Sequence, residues 1–548
     1  MNTKTNRRKF LYCSGASVAA ATFSVREISA STHPNGIGTV VGQAAGEKVG
    51  SQVLESGGNA TDAVVAAALT AAIAAPSSTG IGGYGMAAVI AYDGGRRIIA
   101  IDGNSTAPKS TPKDLLQLNS ARKAPDGLNA KDSTLSVGWL TAGVPGVLAG
   151  LQLMLNKFGT RGFDELVQPA IVLARNGIVW PKSLAAAIRK NAILQNDPGS
   201  KKLYFPNGDA VAEGSLFKNP DLADMLTQLA KANSVDAFYQ GDIAQSIAEG
   251  FRKNGGLVTA QDMADYRARV VEPLKMELAG HTLYTAPLTA GGMSVLQMLR
   301  TLDALKWNSM TNPNERLHAR VEAMRIAWRD RLGLLGDPDF GNVPTSKLLS
   351  NEYAQESATQ IKKAVRDRTL SSHRVRSRNH TGTIHLSAAD KHGNFVALTL
   401  THGNGFGACV TVDGLGLTLG HGLSRFDPNP SHPNGPEPGK RPLHNMIPTI
   451  VTRSGSPVLA VGGTGGRKIP NALFDVLTQY LYEKQPIAAS MAYPRLNTDG
   501  SSNIATEKSY SVTDVEYLKN VGYTVRTEAG ANMHAVALEN GSYVRASR

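Results

Sequence analysis

Two short runs of alternating apolar and polar residues lie in the second half of the chain, at residues 384–389 (IHLSAA) and 395–401 (FVALTLT). A turn rich in Asp, Gly and Asn separates them, at residues 390–394 (DKHGN). Alternation with a period of two, interrupted by such a turn, predicts a hairpin of two half-buried strands. Thr383 therefore begins the first strand, and Thr401 ends the second.

The rest of the pattern mixes helices and strands. It predicts helices at residues 46–58, 60–75, 147–157, 293–305 and 469–481, a mostly helical region at 216–252, and strands at 86–92, 98–102, 449–452 and 457–461. Such a mixture indicates an α/β or α+β chain without specifying its architecture. Residues 351–380 are polar and basic, which predicts a flexible, exposed segment before the hairpin. Because no run of about 18 apolar residues occurs, no membrane span is expected.

The dipeptide Gly382-Thr383 offers a specific chemistry. A threonine hydroxyl is a weak nucleophile, but cleavage of the chain directly before it releases an α-amine that can act as its base. That amine has an ordinary pKa near ~8, which suits proton transfer around neutral pH. Gly382 would tolerate a strained backbone that exposes its carbonyl to the hydroxyl. The alternative is that Thr383 is an ordinary β-branched strand residue.

A family resemblance supports the first interpretation. Residues 383–387 (TIHLS), followed by the DK-x-GN turn, are similar to the start of the small subunit of γ-glutamyltranspeptidases, which are N-terminal-nucleophile hydrolases. Further similar motifs are GGNA-x-D at 57–62, GVPG at 143–146, GDPDF at 336–340 and GKRPL at 439–443. The resemblance implies a four-layer αββα sandwich, self-cleavage between Gly382 and Thr383, and a small-molecule amide substrate.

The resemblance also implies four catalytic positions. Thr383 matches the nucleophile, and Thr401 matches a second threonine that supports it by hydrogen bonding. Gly465 and Gly466 match two glycines whose N–H groups hold the oxyanion, a contribution of roughly 3–4 kcal/mol to the barrier. The alternative for the glycines is a tight turn before a helix. His385 follows the nucleophile closely and is open to a structural or a catalytic role.

Two substrate-binding positions depart from the family pattern. Asn104 stands where the family has an arginine that grips the substrate α-carboxylate, and Asn cannot supply that charge. Arg425 replaces an acid that would hold the substrate α-ammonium group, which reverses the charge there. Arg425 and Arg467, with nearby histidines, instead favour an anionic acyl group.

Three further substrate-binding positions are altered. The family usually has an asparagine where this chain has Gly403, and Asn404 lies one residue later. The two serines expected after residues 439–443 are His444 and Asn445. The residues that recognise a glutamyl group are therefore largely replaced, whereas the catalytic positions are retained.

Other site classes find little support. Residues 80–85 (GIGGYG) satisfy G-x-G-x-x-G, but a helix precedes them and a strand follows, the reverse of a dinucleotide site. Residues 462–467 (GGTGGR) lack the Walker A lysine spacing. The spacings of His402, His421 and His444 match no zinc signature. No cofactor and no metal are therefore expected.

Composition and charge describe a globular chain. It has 548 residues, 42% of them hydrophobic and 18% charged, with a formal net charge of +13. The basic residues are dispersed and no nucleic-acid motif occurs, so no nucleic-acid partner is expected. The two cysteines are Cys13 and Cys409. They provide no disulfide framework, and Cys409 is predicted to be a small buried residue.

The N-terminus predicts export. Residues 6–11 (NRRKFL) precede a weakly apolar stretch and a small-residue cleavage site at 28–30 (ISA), which resembles a twin-arginine signal. The alternative is a flexible basic tail. We therefore predict a signal peptide at 1–30 and a periplasmic or exported protein, with a large subunit at 31–382 and a small subunit at 383–548 of the same domain.

The predicted function is a self-processing threonine amidohydrolase or acyltransferase whose acyl specificity differs from γ-glutamyl. One alternative is a true γ-glutamyltransferase or glutathione hydrolase with a rebuilt pocket. A second alternative is an inactive exported binding protein. The sequence leaves open the acyl group, the acceptor, hydrolysis versus transfer, and the oligomeric state.

Overall fold

Two large β-sheets form the centre of the computed structural model, which describes residues 29–34, 36–116, 137–371 and 382–548. The strands are β1 Ser29–Pro34, β2 Gly38–Val41, β3 Gly85–Tyr92, β4 Arg97–Asn104, β5 Ile178–Val179, β6 Leu216–Phe217, β7 Arg269–Val271, β8 Leu274–Leu278, β9 His281–Thr285, β10 Ile384–Asp390, β11 Phe395–Thr401, β12 Thr411–Val412, β13 Leu417–Thr418, β14 Thr449–Arg453, β15 Ser456–Thr464, β16 Leu496–Thr498, β17 Asn503–Thr506, β18 Thr524–Thr527, β19 Asn532–Glu539 and β20 Ser542–Ser547. The helices are α1 Ala44–Glu55, α2 Ala60–Ala74, α3 Val147–Phe158, α4 Phe163–Leu166, α5 Gln168–Asn176, α6 Lys182–Lys190, α7 Pro198–Tyr204, α8 Pro220–Ala232, α9 Asp236–Gln240, α10 Asp242–Lys253, α11 Ala260–Asp265, α12 Gly292–Ala304, α13 Pro313–Leu334, α14 Thr345–Leu348, α15 Asn351–Asp367, α16 Lys468–Leu481, α17 Ile487–Ala492 and α18 Val512–Val521.

The two sheets pack face to face and are covered by helices on both outer sides. One sheet has the strand order β2-β10-β11-β3-β4-β7, and the other has the order β1-β20-β19-β15-β14-β9-β8. Small apolar residues fill the space between them, including Val89, Ala397, Ala460 and Val536. Helix α2 packs on β10 and β11, and α16 packs on β15 and β19. The predicted four-layer αββα sandwich is thereby confirmed.

The hairpin β10–β11 lies in the middle of its sheet and is buried on both faces. The strands pair antiparallel, with Ile384 opposite Leu400. Every residue of both strands is buried, so the prediction of half-buried strands is wrong. Helix α2 covers one face and the second sheet covers the other, and both faces therefore lie away from water. The Asp390 carboxylate accepts from the Ala60 backbone N–H at 2.9 Å, which ties the hairpin turn to the start of α2.

Most of the predicted elements are confirmed to within three residues. Residues 216–252 divide into three helices preceded by a two-residue strand. The prediction of a flexible segment at 351–380 is wrong for its first part, because Asn351–Asp367 forms α15. This helix buries Ala354 and Ile361 along one stripe. Residues 372–381 lie outside the described residues.

The predicted signal peptide falls almost entirely outside the described residues, which begin at Ser29. Strand β1 pairs with the C-terminal strand β20 at the edge of the seven-stranded sheet. Among the described helices, none combines the length and the apolar character that a bilayer crossing requires. Cys409 is buried, as predicted.

Candidate active site

The peptide bond between Gly382 and Thr383 lies at the start of β10, where the two sheets meet. Thr383 is only 6% exposed. Its hydroxyl donates to the carbonyl oxygen of Gly382, with Oγ1 and O 2.7 Å apart. The hydroxyl is therefore held beside the carbonyl group of the bond that the sequence predicts to be cleaved.

The Gly382 carbonyl is surrounded by further donors. The Thr401 hydroxyl donates to this oxygen, and the Gly403 N–H approaches it at 3.2 Å. The Gly403 N–H also lies 2.8 Å from Thr401 Oγ1, which is 3.1 Å from Thr383 Oγ1. Donors aimed at a carbonyl oxygen polarise the bond and stabilise the negative charge that develops when a nucleophile attacks. The geometry is thus an oxyanion-type cradle around Gly382.

Gly382 is required by close packing. A Cβ at this position would lie 2.5 Å from the carbonyl oxygen of Asn404 and 2.8 Å from its carbonyl carbon. Its backbone does not lie in the left-handed region, so the strained conformation expected from the sequence is absent at this residue. Asn404 contacts the cleavage site through its backbone. A role of its side chain in substrate binding stays a prediction.

Gly465 and Gly466 directly follow a residue that contacts Thr383. Thr464, the last residue of β15, donates its hydroxyl to the Thr383 carbonyl oxygen. The glycines have φ values of 137° and 62°, which side chains rarely adopt, and the turn that they form leads into α16. The N-terminus of a helix concentrates partial positive charge and suits an anion. Their role at the substrate oxyanion stays a prediction.

Asn104 ends β4 and is fully buried. Its amide group donates to the Thr289 hydroxyl and to the Pro442 carbonyl, at 2.8 Å each. Its backbone carbonyl accepts from the Tyr266 hydroxyl at 2.8 Å. Both amide N–H groups are therefore used inside the protein, and a carboxylate grip of the kind an arginine provides is not available here.

His421 occupies the space that a side chain at position 403 would need. A Cβ on Gly403 would overlap Cδ2 and Nε2 of the His421 ring, and Gly403 has a φ of 95°. The Ser424 hydroxyl lies 2.8 Å from the His421 carbonyl oxygen and 2.6 Å from Nδ1. Because a carbonyl oxygen only accepts, the hydroxyl donates to it and Nδ1–H donates to the hydroxyl. Position 403 therefore has no room for a side chain while the His421 ring occupies this space.

A basic cluster that the sequence revealed only in part lies beside these residues. Arg331, on α13, is 2% exposed and donates to the His444 carbonyl oxygen at 2.6 Å and to Asn445 Oδ1 at 3.3 Å. Burial and the charges of Arg425 and Arg467 lower the pKa of Arg331 to about 9. Arg331 is separated by about a hundred residues from its neighbours, so local sequence gave no signal for it.

His444 and Asn445 form one wall of this cluster. His444 is buried, and its Nδ1 accepts from the Met446 backbone N–H at 3.3 Å. Burial, followed by the charges of Arg331 and Arg425, lowers the pKa of His444 well below its usual value, so the ring is neutral. Substrate contact by these two residues stays a prediction.

His385 and His402 are built into the core. His385 Nδ1 lies 2.8 Å from Thr399 Oγ1, and its Nε2 lies 2.9 Å from Ser387 Oγ. Burial lowers the pKa of His385 well below its usual value and that of His402 to about 3. Both ring nitrogens of His385 have protein partners, which favours its structural role. No group of three or more potential metal ligands gathers among the residues described.

Comparison with known proteins places this site in a family. A family model described as Gamma-glutamyltranspeptidase matches residues 46–547. The chain belongs to the gamma-glutamyltranspeptidase family. Gamma-glutamyltranspeptidases and the acylases related to them are N-terminal-nucleophile amidohydrolases and acyltransferases, and this chain is an enzyme of that class.

Relatives of two kinds resemble this gamma-glutamyltranspeptidase family member. The glutathione hydrolase proenzyme of Bacillus subtilis (strain 168) is 30% identical over 519 residues, which cover 90% of this chain and 87% of the relative. The acylase ACY 1 proenzyme of Pseudomonas sp. (strain SE83) is 30% identical over 454 residues, covering 82% and 80%.

Solved structures of both kinds share the fold. Cephalosporin acylase from Bacillus halodurans superposes with a TM-score of 0.83 at 23% identity, over 96% of each chain. The γ-glutamyltranspeptidase of Helicobacter pylori gives a TM-score of 0.53 at 31% identity, over 62% of this chain and 93% of its own. The first likeness concerns the fold alone.

Proposed function

We propose that the chain cleaves itself between Gly382 and Thr383, and that the released Thr383 then hydrolyses or transfers the acyl group of a small-molecule amide other than a γ-glutamyl amide. The observation that carries the proposal is the 2.7 Å contact between Thr383 Oγ1 and the Gly382 carbonyl oxygen, inside a cradle of donors. The products are a large subunit ending at Gly382 and a small subunit of residues 383–548.

Self-cleavage proceeds by an acyl shift. Thr383 Oγ1 attacks the Gly382 carbonyl carbon, and the negative charge that develops on the oxygen is held by the Thr401 hydroxyl and the Gly403 N–H. The C–N bond then breaks, the nitrogen of Thr383 takes a proton and becomes an amine, and an ester remains. Water hydrolyses that ester, which leaves a carboxylate on Gly382 and a free hydroxyl on Thr383.

After self-cleavage, the hydroxyl and the nitrogen of Thr383 also carry out the reaction with the substrate. The α-amine of Thr383 accepts the proton of its own hydroxyl, and Oγ1 attacks the substrate carbonyl carbon. The N–H groups of Gly465 and Gly466 stabilise the tetrahedral anion. The amine returns the proton to the departing nitrogen, and water or an acceptor amine then releases the acyl group from the ester.

The charge of the pocket argues against a γ-glutamyl substrate. That group carries an ammonium, and Arg425 stands where the family pattern places an acid to hold it. Arg331 and Arg467 add positive charge nearby. Asn104, whose amide donors are already used, offers no counterpart to the family arginine that grips the α-carboxylate. The basic cluster therefore repels the ammonium.

We further propose that residues 1–30 are a twin-arginine-type signal and that the enzyme acts in the periplasm or outside the cell. The support is the order of the twin arginine, the apolar stretch and the small-residue cleavage site in the sequence. Replacing Arg7 and Arg8 with lysine should leave the uncleaved signal on a protein retained in the cytoplasm, as fractionation and mass analysis would show.

A matched pair of substrates tests the specificity. γ-Glutamyl p-nitroanilide and glutaryl p-nitroanilide differ only by the α-amino group, so a faster reaction of the glutaryl compound supports the proposal. Preference for the γ-glutamyl compound would favour a true glutathione hydrolase, the activity named for the 30% identical Bacillus relative. An uncut chain that forms no acyl-enzyme would indicate an inactive binding protein. Thr383→Ala is the control for background hydrolysis.

A further inference from the structure

Arg331 is a buried cation without a carboxylate. It is 2% exposed, and its two hydrogen bonds go to neutral oxygens, the carbonyl of His444 and the side chain of Asn445. Its Nη1 has no hydrogen-bond partner within the described residues. A buried charge is costly unless a counter-charge and hydrogen bonds compensate it. The missing counter-charge points to a ligand.

Arg425 shares this environment. Its Nε also has no hydrogen-bond partner in the described part of the chain, where neither arginine is seen in an ion pair with a carboxylate. Both arginines act on the same two neighbours, Tyr84 and His444. Burial raises the pKa of Tyr84, and the charges of both arginines oppose that rise. The phenol is therefore neutral, and it offers a ligand a hydrogen bond rather than a charge.

Two series of contacts connect the arginines to the surroundings of Thr383. Arg467 follows Gly466 directly, its guanidinium carbon lies 5.6 Å from the Trp328 ring centre, and Trp328 precedes Arg331 by one turn on α13. From the other side, the turn Gly422–Arg425 follows His421, whose ring packs on Gly403 at the Gly382 carbonyl. Arg331 is thereby linked to the segment that follows Thr464, and Arg425 to the segment that follows Thr401, and both threonines contact Thr383.

We propose that the acyl group of the substrate ends in a head with two negative charges, which the guanidinium groups of Arg331 and Arg425 bind while Arg467 lies beside them. This inference rests on the proposed function, since it names the substrate class of the same site. A phosphonate or a pair of carboxylates fits such a head. Planar guanidinium groups donate two parallel hydrogen bonds to phosphate-like or carboxylate oxygens.

The number of cations in the cluster favours a ligand head with two negative charges over a head with one. The guanidinium groups of buried Arg331 and half-buried Arg425, without carboxylates, need two negative charges for neutrality, and a single carboxylate would leave one of them uncompensated. The arginines repel one another: burial lowers the pKa of Arg331 most, and the charges of Arg425 and Arg467 lower it further. A dianion relieves that repulsion and raises the pKa of Arg331 again.

Three p-nitroanilides with the same chain length test the inference: pentanoyl (neutral), glutaryl (one charge) and 4-phosphonobutanoyl (two charges at pH 8). The expected order of kcat/KM is phosphonobutanoyl, then glutaryl, then pentanoyl. Arg425→Gln should reduce the ratio of the phosphonobutanoyl to the pentanoyl rate by at least about tenfold, since truncating one partner of a buried charge pair is costly. Arg96→Gln, the same charge change on a 76% exposed side chain, should leave the ratio unchanged.

A binding measurement separates this inference from the proposed function. Inorganic phosphate should raise the unfolding temperature of the Thr383→Ala chain, and Arg425→Gln should abolish that rise. Equal rates for the glutaryl and phosphonobutanoyl compounds, or a ratio that Arg425→Gln does not change, would overturn the dianionic head. If no anilide acylates Thr383 although phosphate binds, the proposed function fails and the anion site stands. If phosphate gives no rise, the anion site fails.

Discussion

The hydroxyl oxygens of Thr383 and Thr401 lie 3.1 Å apart, and both hydroxyl groups are within hydrogen-bonding reach of the Gly382 carbonyl oxygen. In the proposed self-cleavage, one strand of the hairpin provides the attacking hydroxyl, and the other provides a donor for the oxygen under attack. The pairing of β10 with β11 fixes this relationship, because residue 384 is opposite residue 400. Hairpin register is thus what aligns the processing chemistry.

Thr401→Val should slow self-cleavage strongly. It keeps the shape of the side chain and removes the donor to the Gly382 carbonyl, and losing one such donor costs roughly 10²–10³ in rate. The half-time of precursor loss on denaturing gels measures the effect. Thr401→Ser keeps a hydroxyl and should remain within about tenfold of the native rate. Equal half-times for the valine variant and the native chain would show that Thr401 takes no part.

Gly382→Ala should impair processing without unfolding the protein. The new Cβ would press on the Asn404 carbonyl at 2.5 Å and displace the peptide from its donors. Gly333→Ala is the matched control, because no atom lies within 4 Å of a Cβ there. Processing yield is measured by intact mass, and folding by circular dichroism. Complete processing of the Gly382 variant would contradict the packing argument.

The pairing of Gly403 with His421 predicts coupled stabilities. Gly403→Ala should destabilise the fold by roughly 1–3 kcal/mol, through overlap with the ring and a φ of 95°. In a His421→Ala background the overlap is gone, so the same substitution should cost less. Urea unfolding of the four chains of this double-mutant cycle gives the coupling energy. An additive result would mean that the ring and position 403 do not compete for space.

Buried neutral histidines predict a loss of stability in acid. Burial lowers the pKa of His402 from its ordinary value near 6.5 to about 3, so the unfolded chain binds a proton there at pH 5 and the folded chain does not. The contribution of neutral His402 to the free energy of unfolding is therefore fully present above about pH 6.5. At pH 5 it is lower by about 2 kcal/mol.

Urea midpoints at pH 8 and pH 5 test the acid sensitivity on the uncut Thr383→Ala chain. His402→Gln should show a smaller drop between the two pH values than the parent chain. His392→Gln, in the exposed hairpin turn, is the matched control. The same drop in all three chains would show that His402 does not contribute.

Features that depend on neighbouring residues could be predicted from the sequence, whereas features that depend on distant parts of the chain could not. The hairpin around residues 384–401 was predictable because alternation and turn residues are local signals. Its burial on both faces was not, because α2 and the second sheet come from distant parts of the chain. Helix Asn351–Asp367 was missed because its polar residues hide a stripe of apolar ones, such as Ala354 and Ile361.

The site shows the same division. Thr383, Thr401 and the two glycines are predicted as catalytic positions from short local motifs. The contacts within the basic cluster could not be predicted, since Arg331 and His444, which form a hydrogen bond, are 113 residues apart in sequence. The partnership of Gly403 and His421 likewise depends on packing between a loop and a turn, which no periodicity encodes.

Mass analysis with N-terminal sequencing of the purified protein is the most direct test of the proposed self-cleavage between Gly382 and Thr383. The native chain should yield two chains, one of which begins with Thr383, and the Thr383→Ala chain should stay whole. A native protein that remains a single chain while it hydrolyses amides, or a new N-terminus at any other residue, would contradict the role assigned to Thr383.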